Sequence, residues 1–163
     1  MPVTEFIPDT ESLTITVKAE YHAPIERVWQ VYSDPRQMER VWGPPSHPAT
    51  IVEHELAPGG RVHYYMTSPE GERFYGWWSI VAVNEPVEFA FDDGFAPDDS
   101  FEPQEGMPVS RNVYRFEEMG GGTRVTAVSS YDSEEALRTV LEMGVEEGTR
   151  EAMGQIDELL AED

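Results

Sequence analysis

The groups able to do polar chemistry are unevenly supplied. The chain carries 32 Asp and Glu against 11 Lys and Arg, four histidines and no cysteine. His22, His47, His54 and His63 form no H-E-x-x-H pattern and no i, i+4 pair, so no metal site is expected. There is no G-x-S-x-G motif and no thiol nucleophile, and no catalytic residue is assigned. Acid–base work is the chemistry left open. Glu53, His54 and Glu55 lie on one expected strand, one face of which must point inward. His54 and His63 can meet across an expected hairpin. Asp92, Asp93, Asp98, Asp99, Glu102 and Glu105 belong to a strongly acidic stretch. Gly94 comes too early for a calcium loop and the ligand alternation is missing. The segment from Asp93 to Pro108 therefore reads as a solvated loop, long enough to cover a cavity mouth.

The aromatic residues are the richer signal. Apolar ligand sites are built from such side chains plus a few polar groups, although core packing uses the same residues. Period-2 alternation lets only about half of them face inward. One inward set is Tyr64 with Met66, Trp78 with Ile80, and Phe89 with Phe91. Ser129 and Tyr131, in phase with Val125 and Ala127, are inward polar candidates. Trp29, Tyr32 and Trp42 come from the expected helices.

The elements that must position these groups follow from periodicity. Leu13–Tyr21 alternates as a half-buried strand, and Met1–Ser12 reads as a loose lead-in. Pro24–Ser33 places Ile25, Val28, Trp29 and Tyr32 on one helical face. Asp34 and Pro35 open a second helix ending at Gly43, with Gln37 placed to reach back as in a capping box. Strands follow at Ala49–Leu56, Arg61–Thr67, Arg73–Val83, Val87–Asp92, Arg111–Glu118 and Thr123–Tyr131, making seven with the first. Gly59-Gly60 and Gly120–Gly122 fall in turns that open no helix, so neither is a phosphate cradle. Ser133 caps a short helix over Glu134–Glu142. A last helix runs from about Gly144 to Ala161 with Val145, Ala152, Met153, Ile156, Leu159 and Leu160 in one apolar arc. Gly148 and Thr149 interrupt that arc. They allow either a close helix-to-sheet approach or room for a ligand. The pattern gives an α+β fold with a curved antiparallel sheet around one C-terminal helix, in one domain spanning 1–163.

Composition narrows the function classes. A net charge of −21 repels phosphate backbones and anionic lipid, which argues against nucleic-acid and membrane-surface roles. It serves solubility, or an acidic face for a basic partner. No apolar run approaches the roughly 20 residues of a membrane span. The first ten residues lack a basic start and an apolar run, so a cytoplasmic location is expected.

Ala23-Pro24-Ile25-Glu26-Arg27-Val28-Trp29, followed by Ser33-Asp34-Pro35, resembles the first-helix signature of the SRPBCC superfamily, which includes START lipid-transfer domains, birch-pollen-allergen-like proteins and polyketide cyclases. Gly121-Gly122-Thr123-Arg124-Val125-Thr126, and Leu141–Gly148 leading into Ile156-Asp157-Glu158-Leu159-Leu160, are similar to the branch named after the activator of heat-shock protein 90 ATPase. The resemblance covers roughly Ser12 to Ala161. It implies a helix-grip fold with an internal apolar cavity and no particular ligand, and no cofactor is expected.

A non-catalytic binding protein for a small hydrophobic or amphipathic molecule is the first expectation. Its cavity-lining candidates are Trp29, Tyr32, Trp42, Tyr64, Met66, Trp78, Phe89, Phe91, Ser129, Tyr131, Gly148, Thr149, Ala152 and Ile156. A cyclase-like or hydrolase-like enzyme using acid–base groups in the cavity is the second, and a co-chaperone-like regulator that binds a chaperone is the third.

Overall fold

The computed structural model describes residues 2–163. The chain runs β1 (Val3–Asp9), β2 (Thr14–Tyr21), α1 (Ile25–Ser33), α2 (Pro35–Trp42), β3 (Ala49–His54), β4 (Arg61–Thr67), β5 (Arg73–Asn84), β6 (Glu88–Ala96), β7 (Ser110–Met119), β8 (Gly122–Ser130), α3 (Glu134–Glu142) and α4 (Val145–Leu160). All strands form one antiparallel sheet in the order β1-β2-β8-β7-β6-β5-β4-β3. The α1–α2 pair carries the chain from β2 to the opposite edge, and α3 and α4 return across the concave face. This is the α+β helix-grip arrangement expected from the order of elements.

Two segments differ from the sequence reading. Val3–Asp9 is an eighth strand rather than a loose lead-in, paired with β2 through Phe6↔Val17 and Pro8↔Ile15. Pro8 breaks the strand signal in the sequence, yet an edge strand tolerates it because one side needs no donor. Asp9 then accepts from the backbone N–H groups of Glu11 and Ser12, and Leu13 takes φ 60° to close the turn. The other difference is β6, which continues through Asp92-Asp93-Gly94-Phe95 to Ala96 instead of breaking into loop at Asp93. Gly94 has a packing role there, since a Cβ at that position would overlap the Trp77 indole.

Local signals account for the helices. Asp34 caps α2 by accepting from Arg36 N at 2.9 Å, and Gln37 reaches back to the Asp34 carboxylate at 3.0 Å. Ser133 caps α3 by accepting from Ala136 N. Gly144, at φ 84°, sets the corner between α3 and α4.

The core is densest beneath α1. Trp29 meets Phe89 and Phe116 edge-on at 5.5 and 5.2 Å, and Tyr32 meets Tyr114 at 5.4 Å. Trp78 stacks on Phe91 at 3.8 Å. Edge-to-face and stacked pairs of this kind add about 0.5–1.5 kcal/mol each beyond burial. α4 is held mainly at its C-terminal end. Gln155 Nε2 donates to Gly43 O at 2.7 Å. Arg27 of α1 pairs with Asp163 at 2.6 Å, and Arg40 of α2 pairs with Glu162.

Candidate functional site

A cavity of about 330 Å³ lies under the first half of α4. The reason is side-chain size. Gly148, Thr149 and Ala152 face the sheet there, and a Cβ built on Gly148 would meet nothing within 4 Å. The small residues therefore leave a gap, and the close-approach reading of Gly148 does not hold. Val41, Trp42 and Pro44 form one side, with Val140, Met143 and Val145 at the α3–α4 corner. Met153 and Ile156 also line it from α4. Met143 is 55% exposed and Gly144 is exposed, which places the rim at that corner.

The sheet supplies the opposite wall. Tyr64 and Met66 come from β4, Asp93 and Phe95 from β6, and Tyr114 from β7, while Tyr32 of α1 reaches in from the packed side. Tyr64 lies across Gly76 of β5, where any Cβ would overlap its ring. Glycine at that position lets the phenol reach over β5 to β6. Tyr64 Oη donates to Asp93 Oδ1 at 3.4 Å, a long hydrogen bond.

Among the described residues, Asp93 is the one carboxylate lining this cavity. It is half-buried, and no basic group pairs with it among the described residues. Its neighbour Asp92 points to the outer face and pairs with Arg111. Burial without a cation pushes Asp93 from 3.8 up to about 7, and the Tyr64 hydrogen bond only partly opposes this. Such a carboxyl exchanges its proton near neutral pH. Burial also raises Tyr64 and Tyr114 well above the usual phenol range, and Tyr131 to about 12.

A buried polar ladder crosses the inner face beside Asp93. Ser110 is its cross-strand partner on β7. Asn112 Nδ2 donates to Ser110 Oγ at 3.1 Å, and Ser129 Oγ donates to Asn112 Oδ1 at 2.6 Å.

The structure brings Tyr32, Trp42, Tyr64, Met66, Gly148, Thr149, Ala152 and Ile156 to the cavity wall. It does not bring Trp29, Trp78, Phe89 and Phe91 there. Their rings fill the aromatic core behind the cavity, where stacking leaves no free face. Ser129 faces inward but is spent on Asn112, and Tyr131 packs against the core outside the lining. The acid–base candidates of β3 also lie elsewhere. Glu53 binds Arg61, Glu55 is exposed, and His54 Nε2 lies 2.9 Å from Tyr32 O. His63 pairs in register with Glu53 rather than His54, because a bulge shifts β3, and its ring stacks on Phe101 at 4.3 Å. Asp93, Phe95 and Tyr114 are the sheet residues that the sequence reading missed. The series Phe89, Phe91, Asp93, Phe95 keeps period 2 and was the signal available.

The model of the Activator of Hsp90 ATPase homolog 1-like protein family matches residues 22–161. The chain belongs to this family. Among solved structures, this family member is similar to protein Ms6760 from Mycobacterium smegmatis, with 58% identity over 98% of this chain and 97% of that one and a TM-score of 0.90. It is also similar to a protein from Arthrobacter aurescens, with 42% identity over 99% and 93% of the two chains and a TM-score of 0.93. The AHSA1 protein from Silicibacter pomeroyi, at 20% identity, shares the fold over 91% of this chain and 97% of that one with a TM-score of 0.70. No curated protein matches the chain. No helix among the described residues is long and apolar enough to cross a membrane.

Proposed function

We propose that this family member binds a small, largely apolar molecule in the cavity beneath α4. The observation that carries this reading is the gap left by Gly148, Thr149 and Ala152 against a wall of Trp42, Tyr64, Met66 and Phe95. A volume of about 330 Å³ lies within the range of small-molecule sites. Burying apolar ligand surface there contributes roughly 25 cal/mol per Å² before the cost of association. Native mass spectrometry of freshly purified protein, followed by a thermal-shift screen of the emptied protein against hydrophobic compounds, tests it. A bound compound at about 100 times its Kd stabilises the fold by about 2.7 kcal/mol. An absence of both a co-purified molecule and any shift would overturn the proposal.

Asp93 favours a second reading, in which the cavity turns its ligand over by proton transfer. A carboxyl that titrates near neutral pH suits general acid–base catalysis. The mass of the retained molecule after incubation with wild type and with Asp93→Asn separates the readings. A retained molecule whose mass is unchanged on incubation with wild type supports simple binding, whereas conversion by wild type that Asp93→Asn does not carry out supports catalysis. The acidic surface and the family name bring a chaperone partner forward as a third reading. Pull-down with a heat-shock chaperone at low salt, where charge attraction is strongest, checks it, and no capture would remove it.

A further inference from the structure

The wall of the cavity holds an unusual combination. Trp42, Tyr64, Tyr114 and Tyr32 present aromatic groups, and Asp93 stands among them as the one carboxylate. Among the described residues, no arginine, lysine or histidine lines the space. Other carboxylates of the sheet have cations beside them, Asp92 with Arg111, Glu88 with Arg115 and Glu53 with Arg61, and those without one, such as Glu118, are exposed to water. Asp93 has a single long hydrogen bond from Tyr64. A buried carboxylate without a cation is costly, and the cost is relieved when a cation arrives from outside. Aromatic rings favour the same guest, because a cation within about 6 Å of a ring face is attracted to it.

We infer that the cavity selects a compact apolar amine, whose ammonium group is held by Asp93 among the Trp42, Tyr64 and Tyr114 rings while its hydrocarbon body lies against Met66, Phe95 and α4. The inference rests on the reading of the cavity as a binding site and specifies the charge of its occupant. Carboxylates and phosphates are excluded by the same arrangement, since they would face Asp93 with no positive group to receive them. Tyr64 then has a defined role: its hydroxyl orients Oδ1 and leaves the other oxygen for the ammonium.

The pH dependence follows. The titratable groups on the wall beside Asp93 are the phenols of Tyr32, Tyr64 and Tyr114, with Tyr131 adding from beyond β8, and all four stay neutral through the physiological range. Residues of α2, α3 and α4 add no charged group to the lining. Asp93 is thus the one group there that titrates near pH 7. Affinity for an amine is fully present above the Asp93 transition and falls about tenfold per pH unit below it.

The test uses three probes of one shape: 1-naphthylmethylamine, 1-naphthylmethanol and 1-naphthylacetate. Isothermal titration on the full chain in roughly 0.5 M salt screens out general attraction to the acidic surface. At about pH 8 the amine is expected to bind at least tenfold tighter than the alcohol, as a charge-assisted hydrogen bond provides, with the acetate weakest. Asp93→Asn is expected to erase the amine preference and keep alcohol binding, which also shows that the variant is folded. Equal or tighter binding of the alcohol in wild type overturns the inference while leaving the cavity reading intact. So does an amine preference that survives in Asp93→Asn. Binding of none of the three overturns the cavity reading and the inference with it.

Discussion

The concave face of the sheet has two ends, and they are covered differently. Under α1, large side chains meet large side chains: Trp29 and Tyr32 interlock with Phe89, Tyr114 and Phe116. Under the first half of α4, Gly148, Thr149 and Ala152 oppose Tyr64, Met66 and Asp93, and a cavity of about 330 Å³ remains. Both ends belong to the same eight strands. The curvature of the sheet is therefore not what decides between core and cavity. Side-chain volume on the covering helix decides it.

Substitutions at each end break this comparison in order of size. At the packed end, Phe89→Ala should cost about 3–5 kcal/mol, because the ring is fully buried and its neighbours cannot all close in. Urea unfolding measures this, and a loss below about 1 kcal/mol would show that the two ends do not differ as described. At the hollow end, Asp93→Asn should stabilise the empty protein. The carboxyl is raised from 3.8 to about 7 on folding, so its folded form binds the proton more tightly than the unfolded chain does. That contribution is complete below about pH 4 and is lost as pH rises through 7. The variant should gain up to a few kcal/mol at pH 8 and almost nothing at pH 4. Equal gains at both values would mean that burial of the charge is not the cause. The smallest effect is expected at Gly148→Ala, which adds a methyl group to open space and improves helix propensity. It should stabilise by about 0.5–1 kcal/mol in thermal unfolding, and destabilisation would show that the site is tight rather than open. Gly148→Leu carries the same logic further, with retained stability and weakened uptake of any cavity probe.

Much of the fold was legible because local signals agreed. The Asp34-Pro35 start of α2, the Ser133 cap of α3 and the apolar arc of α4 each stand in the sequence and in the structure. The site was only partly legible. Small residues on α4 marked the hollow from one side, and Tyr64 with Met66 marked it from the other. Trp29, Trp78, Phe89 and Phe91 misled because an aromatic on an inner face looks the same in sequence whether it meets another ring or empty space. Asp93 was missed for a different reason. Beside Asp92 and Gly94 it reads as solvated loop, and only its place in the alternation with Phe89, Phe91 and Phe95 shows that it points inward. Acidic residues are mostly exposed, so composition alone points away from an inward Asp93.

The attachment of α4 has a mechanical consequence. The helix is a cantilever. Its far end is bolted to α1 and α2 through Asp163, Glu162 and Gln155, whereas its near end starts at Gly144 with no side-chain cap and stands over the cavity. Bending or fraying of that first turn widens the rim without disturbing the anchored half. Opening of the rim then needs a loosening of about one helical turn rather than any movement of the sheet. Amide hydrogen exchange should show it as faster exchange over 148–152, where the helical bonds begin, than over 155–160, with the difference shrinking when the cavity is filled. A uniform rate along α4 would mean that the helix moves as one piece.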